Sequence, residues 1–364
     1  MVFCGKQVVL VQKRYGYEKG GLFAMKTLRK THLFKRGQIE RTRTERKVLS
    51  EVRHPFIMKL HFAFQNDEKL FLVLDYCAGG ELFFHLSRHR RFPEDYARFY
   101  TAELLLAFGH LHSHGIIYRD LKPENVLLDS DGHVKLGDFG LAKTGIKHPC
   151  QGASSLCGTP EYMAPEILQQ KGHGFCVDYW GLGMLTYEMM TGLPPWYTTE
   201  GLDLLYHRLK HAPLEIPPFF SRAASSITYN LLQKEPKLRL GVNGMRSVMH
   251  HDFFRGLNFN LLISRQIGPP IRPCEGWSAS NTTNSQQNNT KNQTQVMQNI
   301  NEQQRYDLDE ATSNFDGQFT RMAVNSLPSE EEQGYSSDER EGEELNENTF
   351  IGFTYDGDNN KQKN

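Results

Sequence analysis

Two short segments of this chain place acids and amides at a spacing that suits phosphoryl chemistry: YRDLKPENVLLD, Tyr118 to Asp129, and GDFGLAK, Gly137 to Lys143. Moving a phosphoryl group needs metal ions on its oxygens, a cation on the inner phosphates and a carboxylate that orients the incoming hydroxyl. Asp120 and Asn125 lie five apart on one loop and can present a base and a metal ligand side by side. Asp138, on the next hairpin, can supply a second ligand. Alone, an Asp in such a turn is a cap or a solvated carboxylate; only the set of three points to chemistry.

The flanking patterns supply elements to hold that set. VVLVQ, a Gly-rich turn around Gly16 to Gly21, and LFAMKTL read as short strands, and KLFLVLDY as a buried one. GQIERTRTERKVLSEV reads as an amphipathic helix with Ile39, Val48, Leu49 and Val52 on its apolar side. PEDYARFYTAELLLAFGHLHSHG is a long helix with Pro93 in its first turn. VLLDSDGHVKL is a hairpin turning at Asp131 and Gly132. From VDYWGLGMLTYEMMTG to HDFFRG the pattern is helical. The order predicts an α+β, bilobed fold: a small β-rich lobe with one main helix, then a larger helical lobe.

Composition excludes several classes. The formal charge is +0 over 364 residues, so nothing biases the whole molecule toward nucleic acid or anionic membrane. The cysteines, Cys4, Cys77, Cys150, Cys157, Cys176 and Cys274, contain no CxxC pair, which argues against zinc and a disulfide framework. No apolar run reaches a membrane span, and the N-terminal stretch is broken too early for a signal peptide. A soluble, intracellular protein is expected, and the sequons at Asn281, Asn288 and Asn292 carry little weight. Near Ile271 the composition changes. Residues 281–304 are more than half Asn and Gln, and 330–347 are rich in Glu and Asp, so neither can bury enough apolar surface to fold.

The two segments resemble the HRDLxxxxN and DFG signatures of protein kinases, with Tyr118 in the histidine position. GIIYRDLKPEN is similar to the AGC group. The resemblance implies a kinase N-lobe at 1–76, a C-lobe at 77–255 and an AGC C-terminal tail at 256–364, with ATP and Mg2+ as cofactors. It implies that Lys26 of FAMK holds the α and β phosphates and pairs with Glu45. It places Leu74 at the back of the adenine pocket, Asp75 and Cys77 in the hinge, and Glu81 near the ribose or a substrate arginine. Lys122 falls beside the transferred phosphate. Glu166 and Arg239 resemble a buried ion pair propping the activation segment, and Asp178 the carboxylate that holds the catalytic-loop backbone.

The same resemblance makes Ser155 of GASSLCGTPEYMAPE an activation-loop phosphate acceptor, read by Arg41, Arg119 and Lys143. Leu156 would wall the pocket for the residue after the target hydroxyl, Thr159 would bond near Asp120, and Glu81 and Glu124 would read substrate arginines. FIGFTY, 350–355, has the form of the AGC hydrophobic motif with Thr354 as acceptor, and Phe350 and Phe353 would fill a groove between the Glu45 helix and the neighbouring sheet. FDGQFTRMAVNSLP resembles the turn-motif region and makes Ser326 a further acceptor, although no proline directly follows that serine. EYMAPEI and FIGFTY together are most similar to ribosomal protein S6 kinase. That branch is switched by a phosphoinositide-dependent kinase and a target-of-rapamycin kinase, and a cytoplasmic location with access to the nucleus is expected.

The start of the chain departs from the family pattern. Only Gly5 can be the last glycine of GxGxxGxV, the valine falls one place late, and the first strand and two glycines are missing. This predicts a bare sheet edge beside VVLVQ, weak ATP binding and poor turnover. It also keeps open a kinase-like scaffold, a shortened form of an active enzyme, or another basophilic AGC kinase.

Overall fold

The computed structural model describes residues 2–3, 6–16, 19–275, 349–350 and 352–357. A six-stranded antiparallel sheet forms the first layer: β1 (Val2–Phe3), β2 (Lys6–Gln12), β3 (Leu22–Arg29), β4 (Leu60–Gln65), β5 (Lys69–Asp75) and β9 (Tyr355–Asp356), in the order β1-β2-β3-β5-β4-β9. The β2–β3 connection closes through Lys13 and Gly21, with Gly16 and Gly20 in the left-handed region that glycine tolerates. β1 pairs only with the first two residues of β2, Val2 opposite Gln7 and Phe3 opposite Lys6, so among the described residues the edge beside Val8–Gln12 has no partner strand, as expected.

Behind the sheet lie α1 (Lys30–Lys35), which the sequence pattern did not announce, and α2 (Ile39–Glu51). Val48 and Leu49 of α2 are buried, as its apolar side requires, and so is Glu45. A polar group so placed must find a partner. The lobes are sewn together by backbone bonds: Met58 donates to Leu136 O at 3.0 Å and Leu136 to Phe56 O at 2.9 Å.

A three-stranded sheet, β6 (Gly80–Glu81), β7 (Val126–Leu128) and β8 (Val134–Leu136), carries the hairpin between Asn125 and Asp138. Its turn is built by Asp129 Oδ1, which accepts from the backbone of Asp131, Gly132 and His133. The helices of the large lobe are α3 (Leu82–His89), α4 (Glu94–Ser113), α5 (Pro165–Leu168), α6 (Cys176–Thr191), α7 (Leu202–His211), α8 (Arg222–Leu231), α9 (Met245–Met249) and α10 (Phe259–Ile263). Pro93 caps α4 from just outside its first turn. Every residue of α6 from Cys176 to Met190 is buried, so this helix is the axle of the lobe rather than an amphipathic surface helix. Trp180 stacks on Trp196 at 5.4 Å, and the Arg239 guanidinium lies over Trp180 at 5.1 Å. Two charged residues of α6, Asp178 and Glu188, are carried inside with it.

Among the described residues no helix is long and apolar enough to cross a membrane. The Asn/Gln-rich and acidic segments lie outside those residues.

Candidate active site

The site assembles between the two sheets. Lys26 on β3 and Glu45 on α2 are both buried and form an ion pair of 2.6 Å. Asp138 Oδ1 stands 3.9 Å from the same ammonium. Burial alone would lower the Lys26 pKa, but attraction to the Asp138 and Glu45 carboxylates outweighs it and holds the ammonium charged far above neutral pH. Phe139 is buried against Tyr118, with ring centroids 5.2 Å apart, and this packing seats Asp138 at the mouth of the cleft.

Asp120 is fixed from two sides. Asn125 Nδ2 donates to its carbonyl at 2.7 Å and its Oδ2 at 3.0 Å, and Thr159 donates to Oδ1 at 2.8 Å. Lys122 Nζ is 3.9 Å from Oδ2. Burial pushes the Asp120 carboxyl up, against the opposing pull of Lys122, Thr159 and Asn125. Asp178 holds the loop that carries Asp120 by accepting from the backbone N–H of Tyr118 at 3.0 Å and of Arg119 at 2.8 Å. His112 Nε2, 2.7 Å from Asp178 Oδ2, completes that clamp.

The residues fit Mg2+. The Asn125 nitrogen is committed to Asp120, so its carbonyl oxygen is the atom left to coordinate, and Asp138 adds a carboxylate: hard oxygen donors suit that ion. Among the described residues no group of three or more His, Cys, Asp or Glu could hold a metal. Such a sparse protein contribution is usual where substrate phosphates supply the other ligands.

At the hinge, the Asp75 carboxylate is taken by His61 at 2.8 Å, Lys135 at 3.2 Å and the Lys59 N–H at 3.1 Å. Leu74 and Cys77 are buried. The Asp75 side chain is therefore structural, and only backbone at this position can face a ligand. Glu81 opens α3 from the β6 strand, and Gly5 lies outside the described residues.

Ser155 is exposed and accepts from Arg119 Nη1 at 2.8 Å. Burial lowers the Arg119 pKa, Cys157 and Asp178 oppose it, and the nearby Arg41 cation lowers it further. His173 is the residue missed there: it lies 3.4 Å from the same Arg119 nitrogen, and burial, with Arg119 and Lys143 nearby, drops its pKa to about 4. The Lys143 cation is among the charges that lower the His173 pKa. Leu156 is half-exposed beyond Ser155. Beneath the segment, Arg239 Nη1 and Nη2 reach Glu166 at 2.6 and 2.9 Å, a buried two-pronged pair.

The tail closes on the small lobe. Phe350 and Phe353 are buried in the same core as Val48, Leu49 and Ala63. Tyr355 pairs with Ala63, and Gly357 N–H donates to His61 O at 2.7 Å. Arg46 of α2 donates to the carbonyls of Phe353 at 3.1 Å and Thr354 at 3.0 Å, while Arg43 bonds Thr349 O and Arg53 the Tyr355 hydroxyl. Thr354 itself is exposed, and Ser326 lies outside the described residues. Two buried phenylalanines offer about 3–6 kcal/mol before ordering costs. Phe353→Ala is therefore expected to release the motif and raise hydrogen exchange across α2 and β4. Unchanged exchange there would refute the dock.

A second missed feature lies near Glu124. Glu188 on α6 is buried, accepts from the Tyr162 hydroxyl, and has its carboxyl raised to about 8 by burial and by the charges of Glu124 and Glu161. Nothing in YEMM distinguishes this Glu from a surface carboxylate; only the all-round burial of α6 does.

A two-lobed frame, a buried Lys–Glu pair beside an aspartate, and a loop aspartate clamped by Asn and Thr define a phosphotransferase core. The chain belongs to the protein kinase family: residues 7–254 match the protein kinase domain, and 309–355 match the protein kinase C terminal domain. It is 43% identical over 267 residues to the RAC family serine/threonine-protein kinase homolog of Dictyostelium discoideum, covering 73% of this chain and 59% of that one. It is 47% identical over 272 residues to human ribosomal protein S6 kinase alpha-3, covering 74% and 36%. Against serine/threonine protein kinase ypkA of Aspergillus fumigatus the figures are 45% over 280 residues, 76% and 43%. The chain thus spans about one third to three fifths of these relatives, which are kinases of the AGC group.

Proposed function

We propose that this protein is a serine/threonine kinase that transfers the γ-phosphoryl group of ATP to protein hydroxyls preceded by arginines. One observation carries the reading: Lys26, Glu45 and Asp138 are drawn together at 2.6 and 3.9 Å while Asp120 is held by Asn125 and Thr159. Lys26 binds the inner phosphates, Asp138 and Asn125 hold Mg2+, Asp120 orients the acceptor hydroxyl and receives its proton, and Lys122 stands by the group in transit. Bound magnesium neutralises charge on the phosphate oxygens. Glu81 and Glu124 read the arginines, with Glu161 and Glu188 extending the acidic wall. The similarity to S6 kinase and to RAC and ypkA kinases is comparable, so an S6 kinase type rests on EYMAPEI and FIGFTY. In that reading a phosphoinositide-dependent kinase phosphorylates Ser155, a target-of-rapamycin kinase phosphorylates Thr354, and the protein works in the cytoplasm and nucleus.

The test is peptide phosphorylation by the full chain. An RxRxxS peptide should be favoured over its alanine versions by about 1 kcal/mol or more per arginine, the scale of a charge-assisted hydrogen bond. A proline-directed or acidic preference would contradict the reading, and ATP binding without turnover would favour a scaffold.

Glu188 adds a pH signature. Its folded pKa of about 8 exceeds the ordinary carboxyl value, so its proton stabilises the free protein at low pH and that contribution is lost as pH rises through about 8. A bound arginine opposes the proton. The KM for the arginine peptide should therefore fall as pH rises toward 8, while the alanine peptide shows no such trend. Parallel profiles for the two peptides would remove Glu188 from the acidic wall.

A further inference from the structure

We propose that Cys150 and Cys176 form a reversible disulfide site, oxidised by peroxide, that staples the activation segment to the start of α6. Both are free thiols, and their sulfurs lie 3.7 Å apart across 26 residues of chain. A disulfide bond is about 2.05 Å long, so the sulfurs must approach by less than roughly 2 Å. The backbones are already together: Cys176 N–H donates to Pro149 O at 2.9 Å, and His173 and Ala153 exchange two bonds of 2.8 and 2.9 Å. Gly174 permits this approach, because a side chain there would collide with the carbonyls of His148 and Pro149. Neither cysteine belongs to the site described above.

Cys150 is partly exposed and Cys176 is buried, so peroxide meets Cys150 first. Its thiol sulfur takes one oxygen from the peroxide, giving a sulfenic acid and releasing water. Cys176 sulfur then displaces the hydroxyl, its own proton leaving with it as a second water. Two thiols give up two electrons and the peroxide O–O bond accepts them. Burial holds the Cys176 thiol well above its ordinary pKa, so it is not the thiol that peroxide oxidises first; its 3.7 Å approach to Cys150 is what places it for the second step. A dithiol reverses the bond by exchange.

The consequence rests on the kinase reading of Ser155. An upstream enzyme must draw an extended stretch around Ser155 into its own cleft, and a staple five residues before it resists that.

The test uses the full chain with a few equivalents of hydrogen peroxide, then alkylation and non-reducing chymotryptic mass spectrometry, since cleavage at Leu156 separates Cys150 from Cys157. The expected product is a Cys150–Cys176 cross-link, removed by dithiothreitol and absent from Cys150→Ser, while Cys157→Ser still forms it. In a second arm, the oxidised protein should accept phosphate at Ser155 from an upstream kinase at least fivefold more slowly, and Cys150→Ser should show no such difference. A Cys157-linked product, persistent sulfenic acid at Cys150 trapped by dimedone, or no loss of thiols would overturn the site, whatever the catalytic activity. A cross-link that leaves Ser155 phosphorylation unchanged would overturn its regulatory consequence alone.

Discussion

Asp138→Asn is expected to lower peptide phosphorylation by about 1000-fold or more, on the scale of losing a preorganised charge in a phosphoryl-transfer site. The substitution keeps the volume but removes the carboxylate proposed above as a magnesium ligand, which also helps hold Lys26 charged. Asp120→Asn should also cut turnover by orders of magnitude, yet leave nucleotide affinity almost unchanged, because Asp120 is bonded by Thr159 and Asn125 whereas Lys26, the proposed phosphate ligand, is bonded by Glu45. Turnover and ATP affinity measured together on both variants separate the two roles. Near wild-type turnover in either would defeat the assignment.

The second large effect is on stability. Breaking the Glu166–Arg239 pair from one side should cost about 3–5 kcal/mol, because it strands a desolvated charge. Arg239 is fully enclosed, also donates to Cys176 O at 2.9 Å, and lies over Trp180, so no solvent can reach an unpaired partner. Glu166→Leu and Arg239→Met should each lower the denaturation midpoint strongly. The double variant should recover much of the loss, since an apolar pair of similar volume strands nothing. Additive single losses in a denaturant titration would show that each side chain acts by itself.

Much of the site was legible because its chemistry is written over short distances along the chain. Asp120 and Asn125 share one loop, and Asp138 is one hairpin away. Hairpin and helix periods likewise report locally which side of an element is apolar, so β2, β3, β5, α2, α4 and the β7–β8 turn could be anticipated, whereas β4 was not read from the sequence. The Lys26–Glu45 pair came from the family resemblance, since nothing local in FAMK or RTRTERK joins two charges 19 residues apart.

Other features belong to the assembled molecule. Whether Asp75 offers a ligand its carboxylate depends on His61 and Lys135 meeting it from elsewhere. Arg46 grips a tail 307 residues further along, a contact that no periodicity encodes. The apolar spacing of FIGFTY announced that something must cover it, and the resemblance named α2 and the neighbouring sheet, but only the fold supplied the strand pairing with β4 and the arginines that hold the carbonyls. The charge states of Glu188 and His173 follow the same logic. A side chain's type sets its ordinary pKa, whereas burial and neighbouring charges, brought near by chain segments far apart in sequence, decide how far it moves. Residue identities and spacing therefore carry the reaction chemistry, and three-dimensional enclosure decides which groups are desolvated, paired or left open to a partner.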